Sequence, residues 1–241
     1  MTPHTPASHP LAIRVRASLR ASADPAKAQG MARYMRNRQP FLGVQAPEVK
    51  RIAGEAARTL RPEDGGGAVS GAVSGAESEA GPILRDLWNG EFREERYAAI
   101  RLADAWRLWR LAETLPLCRW MIHTGAWWDL VDPLTTRWVS PLLLQHPGSR
   151  GEVFAWIDSP DAWLRRAAVL SQIKFRQATD REALGRILRA AAPEEDFFLR
   201  KAVGWALREF AKSDPDWVRN FVTGMGESLS PLSRREALKN L

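Results

Sequence analysis

A tryptophan and an aspartate four residues apart, Trp128 and Asp132, are the side chains of this sequence whose types and spacing suggest chemistry. They belong to the segment WWDLVD (127–132), which holds two indoles and two carboxylates. If this segment is helical, the two side chains lie one turn apart on the same face. Such a pair suits a site that holds a flat, cationic group. The structural alternative is a buried Trp beside an Asp that caps a helix or pairs with an Arg.

The elements that must position this pair are predicted to be helices. Apolar residues recur with the helical period of 3.6, and no stretch alternates with the period of two that strands show. A capping residue followed by Pro marks helix starts at Asp24-Pro25, Ser159-Pro160, Asp214-Pro215 and Ser230-Pro231. The predicted helices span residues 11–21, 25–34, 46–60, 83–88, 95–109, 115–123, 153–157, 163–175, 181–191, 196–210, 214–222 and 231–241. The fold class is therefore all-α.

A repeat with a period near 35 residues relates several of these helices. It aligns Trp163 with Phe198 and, in the other direction, with Trp128. The same shift relates three small residues: Ala167, Ala202 and Ala237. Such a period predicts an α-solenoid of HEAT-like repeats, a curved superhelix with an extended concave face. Asp132 falls in the alanine position of this register, where a carboxylate needs a partner and indicates a functional site.

The charge balance predicts a polyanionic partner, with nucleic acid first. Lys and Arg number 35 against 28 Asp and Glu, and the net charge is +7. Basic residues recur in the later repeats, where they would line the concave face: Arg165, Arg166, Lys174, Lys201, Arg208, Lys212, Arg234 and Arg235. Charges in series along a solenoid match the phosphates along a duplex. The alternative is an ordinary solvated basic face.

Several classes of site are excluded by composition and spacing. Cys118 is the only cysteine, and the four histidines never share the spacing of a metal-ligand pair, so we predict neither a disulfide nor a metal site. The sequence contains no phosphate loop and no Rossmann fingerprint. No apolar run reaches the ~18 residues of a membrane span.

The local composition of the sequence predicts how the chain is organised. Residues 1–10 lack an apolar signal core and are expected to be disordered. Residues 11–241 are expected to form one domain, interrupted by a flexible Gly/Ser-rich insertion at about 63–80. We expect a cytoplasmic, nucleoid-associated monomer without a membrane partner.

Six motifs in order resemble the AlkD-type DNA alkylation repair proteins. They are MARYMRN (31–37), FLG (41–43), WWDLVD (127–132), WLRRAA (163–168), KAVGWALREFAK (201–212) and PLSRREA (231–237). The resemblance runs from about residue 11 to the end of the sequence. It implies a glycosylase that excises cationic 3- and 7-alkylpurines from duplex DNA without a metal or other cofactor, and without flipping the lesion into a pocket.

By position, the resemblance also assigns roles to particular residues. Asp132 matches the catalytic carboxylate, and Trp128 and Trp205 match the tryptophans that flank the sugar of the lesion. Arg166 matches a DNA-contacting arginine, and Tyr34 an aromatic residue at the cleft. Pro133 disfavours helical geometry at the residue before it, which predicts Asp132 at a helix boundary. The competing interpretation is a non-catalytic HEAT-repeat protein that binds DNA or a protein partner.

Overall fold

Helices account for nearly all regular structure in the computed structural model, which describes residues 8–60 and 73–241, with side chains from residue 80 onward in the second range. No β-strand occurs within these ranges. The predicted all-α class is thus confirmed. The chain divides into two compact units, Met1–Thr114 and Leu115–Leu241. That residues 11–241 form one domain remains a prediction.

The first unit is built on four helices that pack against one another. It contains α1 (Pro10–Ala21), α2 (Pro25–Tyr34), α3 (Ala46–Thr59), α4 (Val73–Trp88) and α5 (Arg93–Ala105), followed by 3-10 turns at Leu108–Arg110 and Ala112–Thr114. Helices α1, α3, α4 and α5 form the packed group. The apolar stripe of α1 predicted by its spacing, Leu11, Val15 and Leu19, is buried as expected.

A buried carboxylate fixes the connection between α2 and α3. Glu94 of α5 is inaccessible to solvent and accepts hydrogen bonds from the backbone N–H groups of Leu42, Gly43 and Val44 at 3.0, 2.8 and 3.1 Å. Gly43 has a φ of +87°, and a Cβ there would lie 2.0 Å from the carbonyl oxygen of Asp24. The FLG motif is therefore a connector that only glycine can complete.

Two segments expected to lack structure are partly ordered. The backbone N–H of His9 donates to the Asp86 carboxylate at 2.8 Å and α1 begins at Pro10, so disorder through residue 10 is wrong for residues 8–10. Helix α4 begins at Val73, so residues 73–80 are helical rather than a flexible loop. Its packing on α1 and α5 supports a helix despite the low-complexity sequence. Residues 1–7 and 63–72 lie outside the described residues.

The second unit is a series of helices, four of which stack on one another in chain order. It contains α6 (Leu115–Gly125), α7 (Trp128–Leu134), α8 (Ser140–Gln145), α9 (Arg150–Ala155), α10 (Ala162–Leu170), α11 (Arg181–Ala191), α12 (Phe197–Ala211), α13 (Pro215–Met225) and α14 (Pro231–Ala237). Helix α10 packs on α7 and α12, and α12 packs on α14. We call α7, α10, α12 and α14 the repeating helices.

The 35-residue register describes this stacking. Ala167, Ala202 and Ala237 are all fully buried at the contacts between repeating helices. The rings of Trp163 and Phe198 lie 5.2 Å apart between their centroids. Small side chains at these positions allow the helix backbones to approach closely.

Helix α7 accommodates a proline in its interior. Pro133 lacks the N–H that would bond to the Asp129 carbonyl, and Thr135–Val139, which begin two residues later, form a π-helical turn. The Thr135 hydroxyl donates to the Val131 carbonyl at 2.8 Å within this turn. The prediction that Asp132 lies at a helix boundary is therefore wrong. The wider turn after Pro133 absorbs the distortion, and Asp132 lies inside α7.

Some predicted helices are shorter than expected. The segment 163–175 leaves the α-helix after Leu170, where the Ser171 hydroxyl donates to the Ala168 carbonyl at 2.8 Å. The segment 231–241 ends its helix at Ala237. After Leu170 the apolar residues Ile173 and Phe175 are still buried, whereas Leu238 and Leu241 after Ala237 are exposed. Apolar periodicity alone therefore does not locate the end of a helix.

Helix α14 approaches α12 closely at Gly204. A Cβ at this position would lie 2.5 Å from the Glu236 Cβ and 2.9 Å from the Ser233 carbonyl oxygen. Real Cβ atoms do not come so close to a backbone, so one helix would have to move.

We expect Gly204→Ala to lower the free energy of unfolding by about 1–3 kcal/mol, the usual effect of overpacking a core. Gly224→Ala is the matched control, because Gly224 is also helical and nothing lies within 4 Å of a Cβ there. The control should be neutral or stabilised by up to about 1 kcal/mol. Urea denaturation of both variants measures the difference, and equal stabilities would contradict the close approach.

Candidate functional site

The carboxylate of Asp132 on α7 is held by the guanidinium of Arg166 on α10. Arg166 Nε donates to Asp132 Oδ1 and Nη2 donates to Oδ2, both at 2.8 Å. This bidentate geometry is the strongest form of a carboxylate–guanidinium contact. The Asp132 side chain is 17% exposed and that of Arg166 is 6% exposed. The carboxylate therefore keeps a solvent-facing edge, while its partner does not.

Arg166 is also fixed from a third side. Its Nη1 donates to the backbone carbonyl of Phe198, in the first turn of α12. One side chain thus connects α7, α10 and α12. The guanidinium is buried and bound to the carboxylate. The contact with DNA that the resemblance implied for Arg166 stays a prediction. Arg166 is placed to orient Asp132.

Burial and charge act on Asp132 in opposite directions. Loss of solvent raises the pKa of the Asp132 carboxyl, the hydrogen bond and charge of Arg166 lower it, and the neighbouring Asp129 carboxylate raises it again. Burial is the largest of these effects, so the pKa lies above its ordinary value. A carboxylate that is ionised but poorly hydrated interacts strongly with any cationic group brought to its exposed edge.

The two tryptophans expected at the site lie on different helices. Trp128 is in the first turn of α7, one turn before Asp132. Trp205 is on α12, two turns after Phe198 and about 10 Å further along the helix. Both indoles are half-buried. The structure brings together Asp132, Arg166 and the first turn of α12, and it places Trp205 further along that helix.

An aromatic cluster that the sequence analysis did not select supports the site. The Trp127 ring lies 5.7 Å from Trp163 and 4.9 Å from Phe198, and Phe197 extends the cluster with a 5.4 Å contact to Phe198. These rings come from α10, α12 and the residue before α7. These rings hold in place the start of α12, where the Phe198 carbonyl accepts the hydrogen bond from Arg166. The alignment of Trp163 with Phe198 was the available signal, but it indicated packing only.

Several of the basic residues expected to face DNA form ion pairs that offset their positive charge. Four of them pair with glutamates: Arg165 with Glu194, Lys201 and Arg208 with Glu236, and Lys212 with Glu209. Three others are exposed: Lys174, Arg234 and Arg235. The sequence analysis missed Glu236. The 35-residue register places it in the position of Arg166 and Lys201, and this reversal of charge could have identified it.

In the first unit, Tyr34 is the expected site residue. It ends α2 and is 72% exposed, among the basic residues Arg33, Arg36 and Arg38. Arg36 and Asn37 have φ values of 56° and 51°, a conformation that non-glycine residues rarely adopt. Such strain is often kept at functional sites. The role of Tyr34 at a cleft stays a prediction.

The described ranges present neither a metal-binding cluster nor a membrane-spanning helix. They contain no group of three or more His, Cys, Asp or Glu side chains that could hold a metal ion. None of the helices described is both long and apolar enough to cross a bilayer.

Comparisons with known proteins identify the family. A solved structure described as "Predicted DNA alkylation repair enzyme from Enterococcus faecalis" is similar to this chain with a TM-score of 0.77 and 26% sequence identity, over 91% of this chain and 97% of that one. None of the curated proteins matches the sequence. The sequence model of the family described as "DNA alkylation repair enzyme" matches residues 15–241. With nearly the whole sequence matched, this chain belongs to the DNA alkylation repair enzyme family and has a role in DNA repair.

Proposed function

We propose that this chain hydrolyses the N-glycosidic bond of purines alkylated at N3 or N7 in duplex DNA. The observation that carries the proposal is the carboxylate of Asp132, oriented by two hydrogen bonds from Arg166 and open to solvent on one edge. The proposal rests on this geometry together with the family. The protein would act as a monofunctional glycosylase.

The chemistry of the lesion explains why one carboxylate suffices. Alkylation at N3 or N7 leaves the purine positively charged, so the glycosidic bond breaks with its electron pair going to the base. The base departs neutral and needs neither a general acid nor a cofactor. The sugar develops oxocarbenium character, and water adds to C1′ with loss of a proton. The Asp132 carboxylate would stabilise the cationic sugar and position the water, as carboxylates do in glycoside hydrolysis.

The surrounding residues would supply orientation. Trp128 lies on the same face of α7 as Asp132, and its indole would contact the sugar and attract its developing charge, a contribution of about 0.5–2 kcal/mol. Trp205 would do the same from α12. Arg166 would act through Asp132, holding both oxygens in one direction. Such preorganised electrostatics is often the largest contribution to catalysis.

The remaining basic residues would bind the duplex. Lys174, Arg234 and Arg235 are exposed, and Arg165, Lys201, Arg208 and Lys212 remain partly accessible beside their glutamates. They would contact phosphates and so fix register without reading sequence. Tyr34 would contact the duplex from the first unit. We propose that the protein acts as a monomer in the cytoplasm, associated with the nucleoid.

Asp132→Asn should reduce the single-turnover release of 7-methylguanine from methylated duplex DNA by about 10²–10³-fold, because the amide cannot stabilise the cationic sugar. Affinity for the duplex, measured by fluorescence anisotropy, should change little. Removing one partner of a buried ion pair can destabilise a protein by about 3–5 kcal/mol, so a thermal melt must show the variant folded at the assay temperature.

Asp216→Asn is the matched control for this experiment. Asp216 is 85% exposed in the same unit and pairs with Arg219 at 2.8 Å, so the change removes the same charge and breaks only an exposed ion pair on α13. The control should retain the wild-type rate. A wild-type rate in Asp132→Asn would exclude the mechanism. If neither the wild type nor the variant released the base while both still bound DNA, a non-catalytic DNA-binding protein would be favoured.

The pH profile of base release tests the role of Arg166. The reaction needs ionised Asp132, so activity falls as the pH decreases through the pKa of this group. Arg166→Lys keeps the charge but loses the bidentate contact and the bond to the Phe198 carbonyl. The pKa of Asp132 should therefore rise, and the acidic limb of the profile should move to higher pH. An unmoved limb, relative to Arg219→Lys, would show that Asp132 is not the titrating group.

Substrate charge provides a further test. Uracil in duplex DNA is a neutral base, so it would leave as an anion and requires protonation or strong stabilisation of that anion. Release of uracil should therefore be undetectable under conditions that release 7-methylguanine completely. Comparable rates on the two substrates would mean that the protein supplies a general acid, which the proposed mechanism lacks.

A further inference from the structure

Lys201, Trp205 and Arg208 form one stripe along α12. Their spacings of four and three residues place them on successive turns of the same face. The indole of Trp205 therefore has a cation one turn before it and another one turn after it. The Lys201 and Arg208 side chains are 38% and 24% exposed. An aromatic ring between two accessible cations is suited to a nucleotide chain, with the ring against a sugar or base and the cations at phosphates.

Both cations bind one carboxylate, that of Glu236 on α14. The Oε1 atom lies 3.0 Å from Lys201 Nζ, and Oε2 lies 2.5 Å from Arg208 Nη1. The hydrogen bonds from Lys201 and then from Arg208 lower the pKa of Glu236, so it is an anion at neutral pH. Two oxygens of one anion shared between two cations is also what a backbone phosphate offers.

The position of Glu236 is fixed by packing. Gly204 lies between Lys201 and Arg208 on α12 and leaves room for the Glu236 Cβ. One turn earlier on α14, the Ser233 hydroxyl donates to the Arg200 carbonyl at 2.9 Å. The carboxylate is therefore presented to the stripe by a rigid helix–helix contact.

Stability alone does not account for this carboxylate. Partly exposed ion pairs contribute about 0–1 kcal/mol, since the charges stay hydrated and the side chains lose freedom. A carboxylate placed between the two cations has a larger effect on the local potential, because it cancels one of two positive charges beside Trp205. The carboxylate therefore weakens the attraction of this face for any approaching anion.

We infer that Glu236 is an internal competitor of DNA phosphate at Lys201 and Arg208. A phosphate of the duplex takes the place of the carboxylate on these cations. Glu236 thereby lowers affinity for DNA of any sequence, damaged or not, and favours release of the duplex. The inference rests on the proposed function, since DNA must lie against Trp205 for these cations to meet phosphates.

Glu236→Gln tests this competition, because it keeps the shape of the side chain and removes its charge. The probe is an undamaged duplex, whose dissociation constant is measured by anisotropy over a range of salt concentrations. Removing the carboxylate leaves one more uncompensated positive charge for phosphate, so the slope of log affinity against log salt should steepen by about 0.9. Affinity at ~0.1 M salt should rise by roughly threefold to tenfold or more.

Asp216→Asn again serves as the control, since it raises the net charge equally but frees Arg219 on α13. A steeper slope in Glu236→Gln than in this control supports the inference. Equal slopes overturn it. The binding assay uses undamaged DNA, so its outcome is separate from catalysis. If Glu236→Gln fails while Asp132→Asn abolishes base release, the proposed function stands alone. If no base is released but the slope steepens, the competition stands without the glycosylase.

Lys201→Gln covers the case in which Glu236→Gln does not fold. It removes a cation and leaves the carboxylate facing Arg208 alone, so the salt slope should become shallower by about 0.9. Arg219→Gln is its control, because Arg219 is 53% exposed and pairs with Asp216. A slope in Lys201→Gln equal to that of this control overturns the inference.

Discussion

The buried ion pair between Asp132 and Arg166 is the constraint to which the second unit conforms. Either charge alone would be strongly unfavourable at such low exposure, so each requires the other at hydrogen-bonding distance. The two residues come from helices 34 residues apart in sequence. Helices α7 and α10 must therefore stack in one register, and α12 must present the Phe198 carbonyl to the remaining donor. The orientation of the carboxylate and the packing of three helices are satisfied by the same bonds.

Small residues and aromatic rings together hold the repeating helices in that register. Ala167, Ala202 and Ala237 set how closely the repeating helices approach, because any larger side chain there would separate the backbones. The rings of Trp163 and Phe198 lie 5.2 Å apart and pack α10 against the start of α12, where the Phe198 carbonyl accepts a hydrogen bond from Arg166. The charged pair thus lies in a setting of low polarity, which raises the pKa of Asp132 and strengthens its effect on a nearby cation.

The sequence was sufficient for the class, the register and the position of the carboxylate. Periodicity identified the helices, and the alanine position occupied by Asp132 indicated a residue out of place in ordinary packing. It did not identify Arg166 as the partner, because which helix faces reach each other depends on stacking. The local rule for a residue before proline failed at Asp132, since a π-helical turn relieved the clash. Composition likewise predicted a flexible loop through residue 80, whereas α4 begins at Val73.

The reach of Arg166 across three helices has a consequence for folding. In an array where each repeat is stabilised by its neighbours, the end fluctuates most, and openings there spread inward. The active arrangement is complete only when α7, α10 and α12 are all in place, and α12 depends in turn on its contact with α14. The site is therefore disrupted when any one of these helix contacts opens. The geometry of the Asp132–Arg166 pair therefore depends indirectly on α14, a helix that contributes no bond to the pair.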